Sequence, residues 1–422
     1  MGSRRMIWRR GSALRVGTLV LAAVVLAGCS ASTVTWPPTK PSAGGSGAAD
    51  GSGALATPAG TGLHVAIPDK SAAATPQTAP SEAPRETAAA ATVDQITADY
   101  TYKSELITPL AHLYGGTGTL ALDDFVKITV ENKNTKAVKV VATSEIPGYT
   151  DKASDTVTID PGASQLIRQN PRLTTAAIDG LNSQHQADLH VQVSYLDAGV
   201  AKTVLDQTSS TLLTSRRDFP WTIKDFTQQE NWELVVAMAT PTDPSVEELI
   251  STAAHNYDPN HASLSGYDSE NDDSGSVWQR LSNIWQAETN DYNLTYVGTT
   301  DSFASGSSQR IRLPSEVLDQ SSGNCIELTL LYASVAEAMG LESALIMIPG
   351  HAYVAIRLDD TNDNYYFIET TMIGAATFKE AAHEGNVEWT AAQPHVEAGD
   401  TDYGWVDVAQ ARADGVLPIP WH

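Results

Sequence analysis

Three kinds of hydrophobic pattern succeed one another along the chain. Residues 30–94 have almost no apolar periodicity and are rich in Ser, Ala, Thr, Gly and Pro, as in Ser42-Ala43-Gly44-Gly45-Ser46-Gly47. A stretch with so little to bury reads as a flexible tether, of the kind that crosses a cell wall. From about 96 to 215 the period is two. Val126, Ile128 and Val130 alternate with Lys127, Thr129 and Glu131, and Asn132-Lys133-Asn134 follows as a turn. Leu189, Val191, Val193 and Tyr195 alternate with His190, Gln192 and Ser194. Shorter strands are expected near 137–142, 156–160, 165–168, 202–206 and 210–214. One-faced alternation with frequent turns predicts an antiparallel β-sandwich. Nothing catalytic clusters in it; His185 and His190 are expected to be ordinary surface or turn residues.

After Pro220-Trp221 the period becomes helical. Asp243-Pro244 offers an N-cap and a first-turn proline, with Glu247 and Glu248 in the favourable first turn. Val277, Leu281, Ile284 and Trp285 form an apolar stripe at i, i+4, i+7 and i+8. The acidic loop before it (Asp268, Glu270, Asp272, Asp273) has Gly275 in the wrong place for an EF-hand and reads as solvated.

The chemistry concentrates between residues 321 and 371. The run following Cys325 is apolar on most sides, with Glu327, Ser334 and Glu337 as its polar stripe, and Gly340 is a natural C′ residue. This predicts a buried central helix. Cys325 would lie in its first turn, where the helix dipole and free N–H groups favour a thiolate. Gly323 would let the chain bend and a substrate approach the backbone. Residues 343–349, 350–356 and 365–371 read as strands, with His351 at the start of the second. An antiparallel register centred on residue 360 sets His351 opposite Glu369, and any register whose paired numbers sum to an even value keeps both on one face. The carboxylate can then orient the imidazole, and the imidazole can reach the thiol: a nucleophile, a base and an orienter.

Gly323-x-Cys325 opening a helix, Gly350-His351-Ala352 on a strand and an acid on the next strand resemble the transglutaminase-like superfamily, a papain-related fold. The likeness spans roughly residues 245–375. Leu313-Pro314-Ser315-Glu316-Val317-Leu318, the preceding sandwich and the tail from Val406 to Ala413 are similar to a bacterial subgroup. The resemblance implies that Cys325, His351 and Glu369 are nucleophile, base and orienting carboxylate. One departure is that the family's usual acid is Asp. The Cys325 backbone N–H is one candidate for stabilising the oxyanion, and Gln309, Gln320 and Asn324 are side-chain candidates.

The first 28 residues read as an address. Arg4, Arg5, Arg9, Arg10 and Arg15 precede a 12-residue apolar run, residues 16–27. As a helix the run would measure about 18 Å, too short for a bilayer core. It ends Leu26-Ala27-Gly28-Cys29, which resembles a bacterial lipobox and implies acylation of Cys29. Ser3-Arg4-Arg5 is also similar to a twin-arginine export signal. The expected location is the extracytoplasmic face of the cell membrane.

Composition narrows the partners. The 422 residues hold 26 Lys and Arg against 50 Asp and Glu. Without the first 28 residues, which include five arginines and no acid, 21 basic groups face 50 acidic ones, a net charge of −29. That excess argues against nucleic acid as a partner. The two cysteines, Cys29 and Cys325, rule out a disulfide framework. Ten histidines without HExxH or a His/Cys cluster predict neither metal nor cofactor.

The expectation is an α+β protein: signal peptide 1–28, tether 29–95, β-sandwich 96–218 and a transglutaminase-like domain over 219–422. Its function would be that of a lipid-anchored cysteine amidase or peptidase, or a protein-glutamine acyltransferase, acting on protein or cell-wall peptide. The alternative is a catalytically silent binding or scaffold lipoprotein.

Overall fold

The computed structural model describes residues 84–223, 226–258, 266–267, 274–298, 308–358 and 364–420, all within one compact unit. The signal segment, Cys29, most of the tether and the acidic loop at 268–273 lie outside the described residues. The described chain is α+β, with mainly antiparallel sheets.

The first half forms two five-stranded sheets. One orders Arg85–Thr87, Ile96–Lys103, Val126–Asn132 and Ser164–Gln169, with Ala91–Val93 also on Ile96–Lys103. The other orders Glu105–Leu106, Val200–Leu213, His185–Asp197, Val138–Glu145 and Ala153–Ile159. Their facing residues are those the alternation picks out. Val126, Ile128 and Val130 from one sheet share a core with Leu189, Val191, Val193 and Tyr195 from the other. The candidates at 202–206 and 210–214 belong to one long strand, irregular between Thr203 and Leu205. His185 and His190 lie on a strand and not in a turn, and His190 Nε2 contacts Asp206 Oδ1 at 2.7 Å.

The last residues of the span expected as tether, 29–95, form strands. Arg85–Thr87 and Ala91–Val93 both hydrogen-bond along Ile96–Lys103. Arg85 reaches Asp123 at 3.0 Å, and Asp94 accepts from Tyr195 and Lys202. Ladder bonds and these charges order a segment that has few apolar side chains.

The second half is built around the helix Cys325–Ala338, which is buried almost all round. Ile326, Leu330 and Ala333 join the core of the sandwich. Leu328, Leu331, Tyr332, Val335 and Ala336 form a second core with helices Pro244–Tyr257 and Ser274–Asn290. Asp243 Oδ1 caps the first of those helices at 2.9 Å, and the stripe Val277, Leu281, Ile284 and Trp285 of the second points inward. Gly340, at φ 73°, ends the central helix.

Beside this helix lies a four-stranded antiparallel sheet, ordered Tyr365–Ile368, His351–Arg357, Ser343–Ile348 and Gly404–Asp407. Alternation divides its faces. Ala352, Val354 and Ile356 belong to the cores that hold the central helix. Tyr353, Ala355 and Phe367 pack on the other side against Trp389. Trp389 belongs to the 21-residue helix Phe378–Ala398, capped by Thr377 and closed by Gly399. No helix among the described residues is long and apolar enough to cross a membrane.

Candidate functional site

The site forms where the central helix begins, at one end of the sheet. Asn324 is the N-cap: its side-chain oxygen accepts from Glu327 N at 3.0 Å, and Glu327 Oε2 accepts from Asn324 N at 3.0 Å. This capping box fixes the entry of the chain into the helix and makes Cys325 its first residue. Glu327 is buried and carries a full charge partner. Arg312 donates from Nε to Oε1 at 3.0 Å and from the guanidinium tip to Oε2 at 2.6 Å.

Cys325 is a free, half-buried thiol. Its carbonyl accepts from Thr329 Oγ1 at 2.7 Å, and the same hydroxyl lies 3.1 Å from the Ala352 carbonyl. Thr329 thus ties the helix start to the strand that opens with His351. Gly323 pairs with Tyr296 through a short parallel bridge. It is not in the left-handed region; a Cβ there would come within 2.8 Å of Leu328 Cγ and 3.2 Å of Val317 Cγ1. Its lack of a side chain serves packing beneath the nucleophile, a role different from the sharp bend expected.

His351 Nε2 meets Glu369 Oε2 at 2.6 Å. The register differs from the one centred on residue 360: Val354 pairs with Ile368, and Ile368 ends the strand. The pairing is displaced by two residues, so its parity is unchanged and both side chains remain on one face. Thr370 and Thr371 leave the strand for a short 3-10 turn, Thr370–Met372, with Glu369 as its N-cap. Glu369 Oε1 accepts from Thr371 N at 2.8 Å and from the Thr371 hydroxyl, leaving Oε2 for His351. This division of oxygens is how the longer acid fits.

Charge follows from that geometry. Burial by itself would lower the His351 pKa, but hydrogen bonds to Cys325 and Glu369, and their charges, raise it to about 10. With Nε2 on Glu369, Nδ1 is the nitrogen left for Cys325. Burial works to raise the Glu369 pKa, yet its bonds to His351 and Thr371 leave it below its ordinary value.

The remaining expected residues have other partners. Gln309 Oε1 accepts from Trp221 Nε1 at 2.9 Å, where the strand Asp218–Pro220 meets Ser308–Arg310. Gln320 Oε1 accepts from Arg312 at 2.9 Å. Asn324 stands beside Cys325, its oxygen engaged by the helix cap. The structure brings together Cys325, His351 and Glu369.

Two further residues belong to the neighbourhood. Burial raises the Tyr296 hydroxyl pKa, and so do the charges of Cys325 and Glu369. Glu388, on the helix Phe378–Ala398, brings Oε2 within 3.8 Å of His351 Nε2. Neither had a signal in the sequence: Tyr296 lies on a two-residue strand, and Glu388 is one acid among several on a surface helix.

His351, Glu369 and Glu388 offer three atoms within 4.8 Å of one another. At 2.6 Å, His351 Nε2 and Glu369 Oε2 share one proton, and the Glu388 carboxyl lies beside this pair, an arrangement suited to holding and moving protons.

No family model and no curated protein matches the chain. Among solved structures, a protein from Archaeoglobus fulgidus aligns with 9% identity over 31% of this chain and 94% of its own, at a TM-score of 0.18. A protein described as of late embryogenesis abundant (LEA) type aligns with 8% identity over 31% of this chain and 72% of its own, at 0.17. At such scores neither likeness says anything of fold or function.

Proposed function

We propose that the protein is an exported, lipid-anchored thiol enzyme of transglutaminase-like type that cleaves an amide through a Cys325 thioester. The observation that carries this reading is His351 held on Glu369 at 2.6 Å beside Cys325, two partners that together raise its pKa to about 10. An imidazolium beside a half-exposed thiol supplies both an ion-pair partner for a thiolate and a proton for a leaving group.

The Cys325 sulfur adds its electron pair to the amide carbonyl carbon, and the π pair moves onto oxygen. As first residue of its helix, Cys325 has a backbone N–H with no intrahelical acceptor, a donor suited to that oxyanion. His351 gives its proton to the nitrogen, the C–N bond breaks, and an amine leaves behind a thioester. Water, deprotonated by the neutral imidazole, then adds to the thioester carbon. The C–S bond breaks, an acid is released, and thiolate and imidazolium are restored. An amine in place of water would give a crosslink with the same three residues. Hydrolysis is favoured because water is always at hand, and cell-wall peptide is the substrate that a lipid-anchored protein would meet.

The test incubates the protein with glutamine peptides and a labelled amine, measuring ammonia release and label incorporation together. Ammonia alone marks hydrolysis; both signals mark transfer. Cys325→Ala should abolish either signal with the fold intact, since Ala suits the helix. Retention of full activity by that variant would place the chemistry elsewhere. The anchor is checked by Cys29→Ala: its failure to leave the detergent phase would overturn the lipoprotein reading.

A further inference from the structure

Helix Phe378–Ala398 lies unusually close to the sheet at Gly385. A Cβ there would come within 2.5 Å of the Phe367 carbonyl carbon and oxygen and 2.8 Å of Ile368 N. The strand beneath therefore admits only glycine, and the helix axis is drawn in at that point. Glu388 lies three residues further on, less than one turn away, on the face lowered towards the sheet. His351 and Tyr353, odd-numbered on their strand, project to that same side; Tyr353 packs with Phe367, and its ring stacks with His351 at 6.1 Å. The close approach at Gly385 is thus what brings a helix carboxyl to the back of the imidazole.

We propose that Glu388 is a fourth member of the site, a positioning residue that holds a proton beside Glu369 and so governs the charge behind His351. The inference rests on the thiol-enzyme reading above and deepens it. Its Oε2 is buried with no hydrogen-bond partner, 3.8 Å from His351 Nε2 and with the Glu369 carboxylate within 4.8 Å. Two carboxylates this close would repel each other, and a buried oxygen without a partner holds a charge poorly, so one of them retains a proton. Glu369, already accepting from His351 and Thr371, is the ionised member; Glu388 is the neutral one. Besides Glu369 and His351, Glu388 faces Tyr353 on the strand of His351 and Glu384 on its own helix. Burial, reinforced by the negative charge on Glu369, pushes its pKa up to about 8. Below that pH a single carboxylate backs the imidazolium, which stays acidic enough to protonate a leaving amine. Above it a second negative charge binds the proton more tightly, and the surroundings of Cys325 turn repulsive to anions.

The test compares neutral and anionic alkylating agents on the full-length protein. Rates with iodoacetamide and iodoacetate are read on the Cys325 peptide by mass spectrometry between pH 6 and 9.5. Their ratio cancels the amount of thiolate and reports local potential. In the native protein the iodoacetate-to-iodoacetamide ratio should fall roughly threefold or more through pH 8, as one charge at this range predicts. Glu388→Gln, which keeps a donor but cannot ionise, should remove the fall. Glu384→Gln, at an exposed position on the same helix, should leave it in place. Glu388→Ala should also slow iodoacetamide itself, because Glu369 and His351 lose a neutral polar neighbour that the Gln variant retains. A fall that persists in Glu388→Gln overturns the assignment. So does an Ala variant indistinguishable from native. If native Cys325 reacts no faster than free cysteine at any pH, the thiol-enzyme reading fails and takes this one with it.

Discussion

Glu369 holds two unlike partners with two oxygens: Oε1 caps the 3-10 turn through Thr371, and Oε2 holds His351. One methylene fewer cannot span both. Glu369→Asp is expected to keep the local turn contact and lose the imidazole, lowering turnover by about 10- to 100-fold, the worth of one charge-assisted hydrogen bond. Steady-state rates on whichever amide is cleaved check this; an unchanged rate would mean the site accepts either acid. A second acid matters for stability. Glu288, on the helix Ser274–Asn290, is fully buried beside Tyr332. Burial pushes its pKa up to about 8, against a weaker opposing pull from the neighbouring Tyr332 hydroxyl. A folded-state pKa above the ordinary 4.5 means that the folded chain holds this proton more tightly than the unfolded one. The contribution is full below pH 4.5, declines above it and is gone once pH passes about 8. It is on the order of a few kcal/mol. Glu288→Gln should therefore melt with a flatter pH dependence across that window, by calorimetry, than the native protein.

Elements show where pattern was readable and where it was not. The strands of the sandwich and the central helix were legible because large apolar residues recur at the right period; Val126, Ile128 and Val130 are all fully buried. The pairing of His351 with Glu369 was legible in parity but not in register. Parity depends only on alternation, whereas register depends on the 3-10 turn that Thr370 and Thr371 form under Glu369. The strands at Arg85–Thr87 and Ala91–Val93 were hidden, since Ala and Thr give no contrast between faces. Helix Phe378–Ala398 carries a weak pattern for a related reason: between its large contacts Phe378 and Trp389, its inward side is small, at Ala381, Ala382 and Gly385. Those small residues set how near it lies. Gly385→Ala should force the helix off Phe367 and destabilise the fold by about 1–3 kcal/mol, the usual range for overpacking, measured by denaturant titration. A shift below half a kcal/mol would show that the strand can yield.

At the scale of the molecule, the described sheet begins before the sandwich pattern does. A chain starting at residue 95 lacks two strands of the first sheet and the Arg85 contacts with Asp123 and Thr101. It should melt at a lower temperature than one starting at 84; equal melting temperatures would show that these strands add no stability. The two halves are also fastened together by charge. Arg216 and Arg217, just past the last long sandwich strand, both bond Glu316, whose Oε2 accepts from Leu313 N at 3.1 Å at the start of helix Pro314–Asp319. A third arginine, Arg312, holds Glu327 under the nucleophile. Beneath these polar ties, a continuous apolar cluster joins Val191 and Val193 of the sandwich to Ile326 and Leu330 of the central helix and to Val406 and Ile419 near the C-terminus. Such a cluster has no seam along which one half could open while the other stays intact. Heat should therefore take the described chain apart in a single step, with calorimetric and van't Hoff enthalpies equal. The β-rich half is then no detachable adaptor: cut away from it, the segment bearing Cys325 would expose one side of its own central helix to water and would not fold alone.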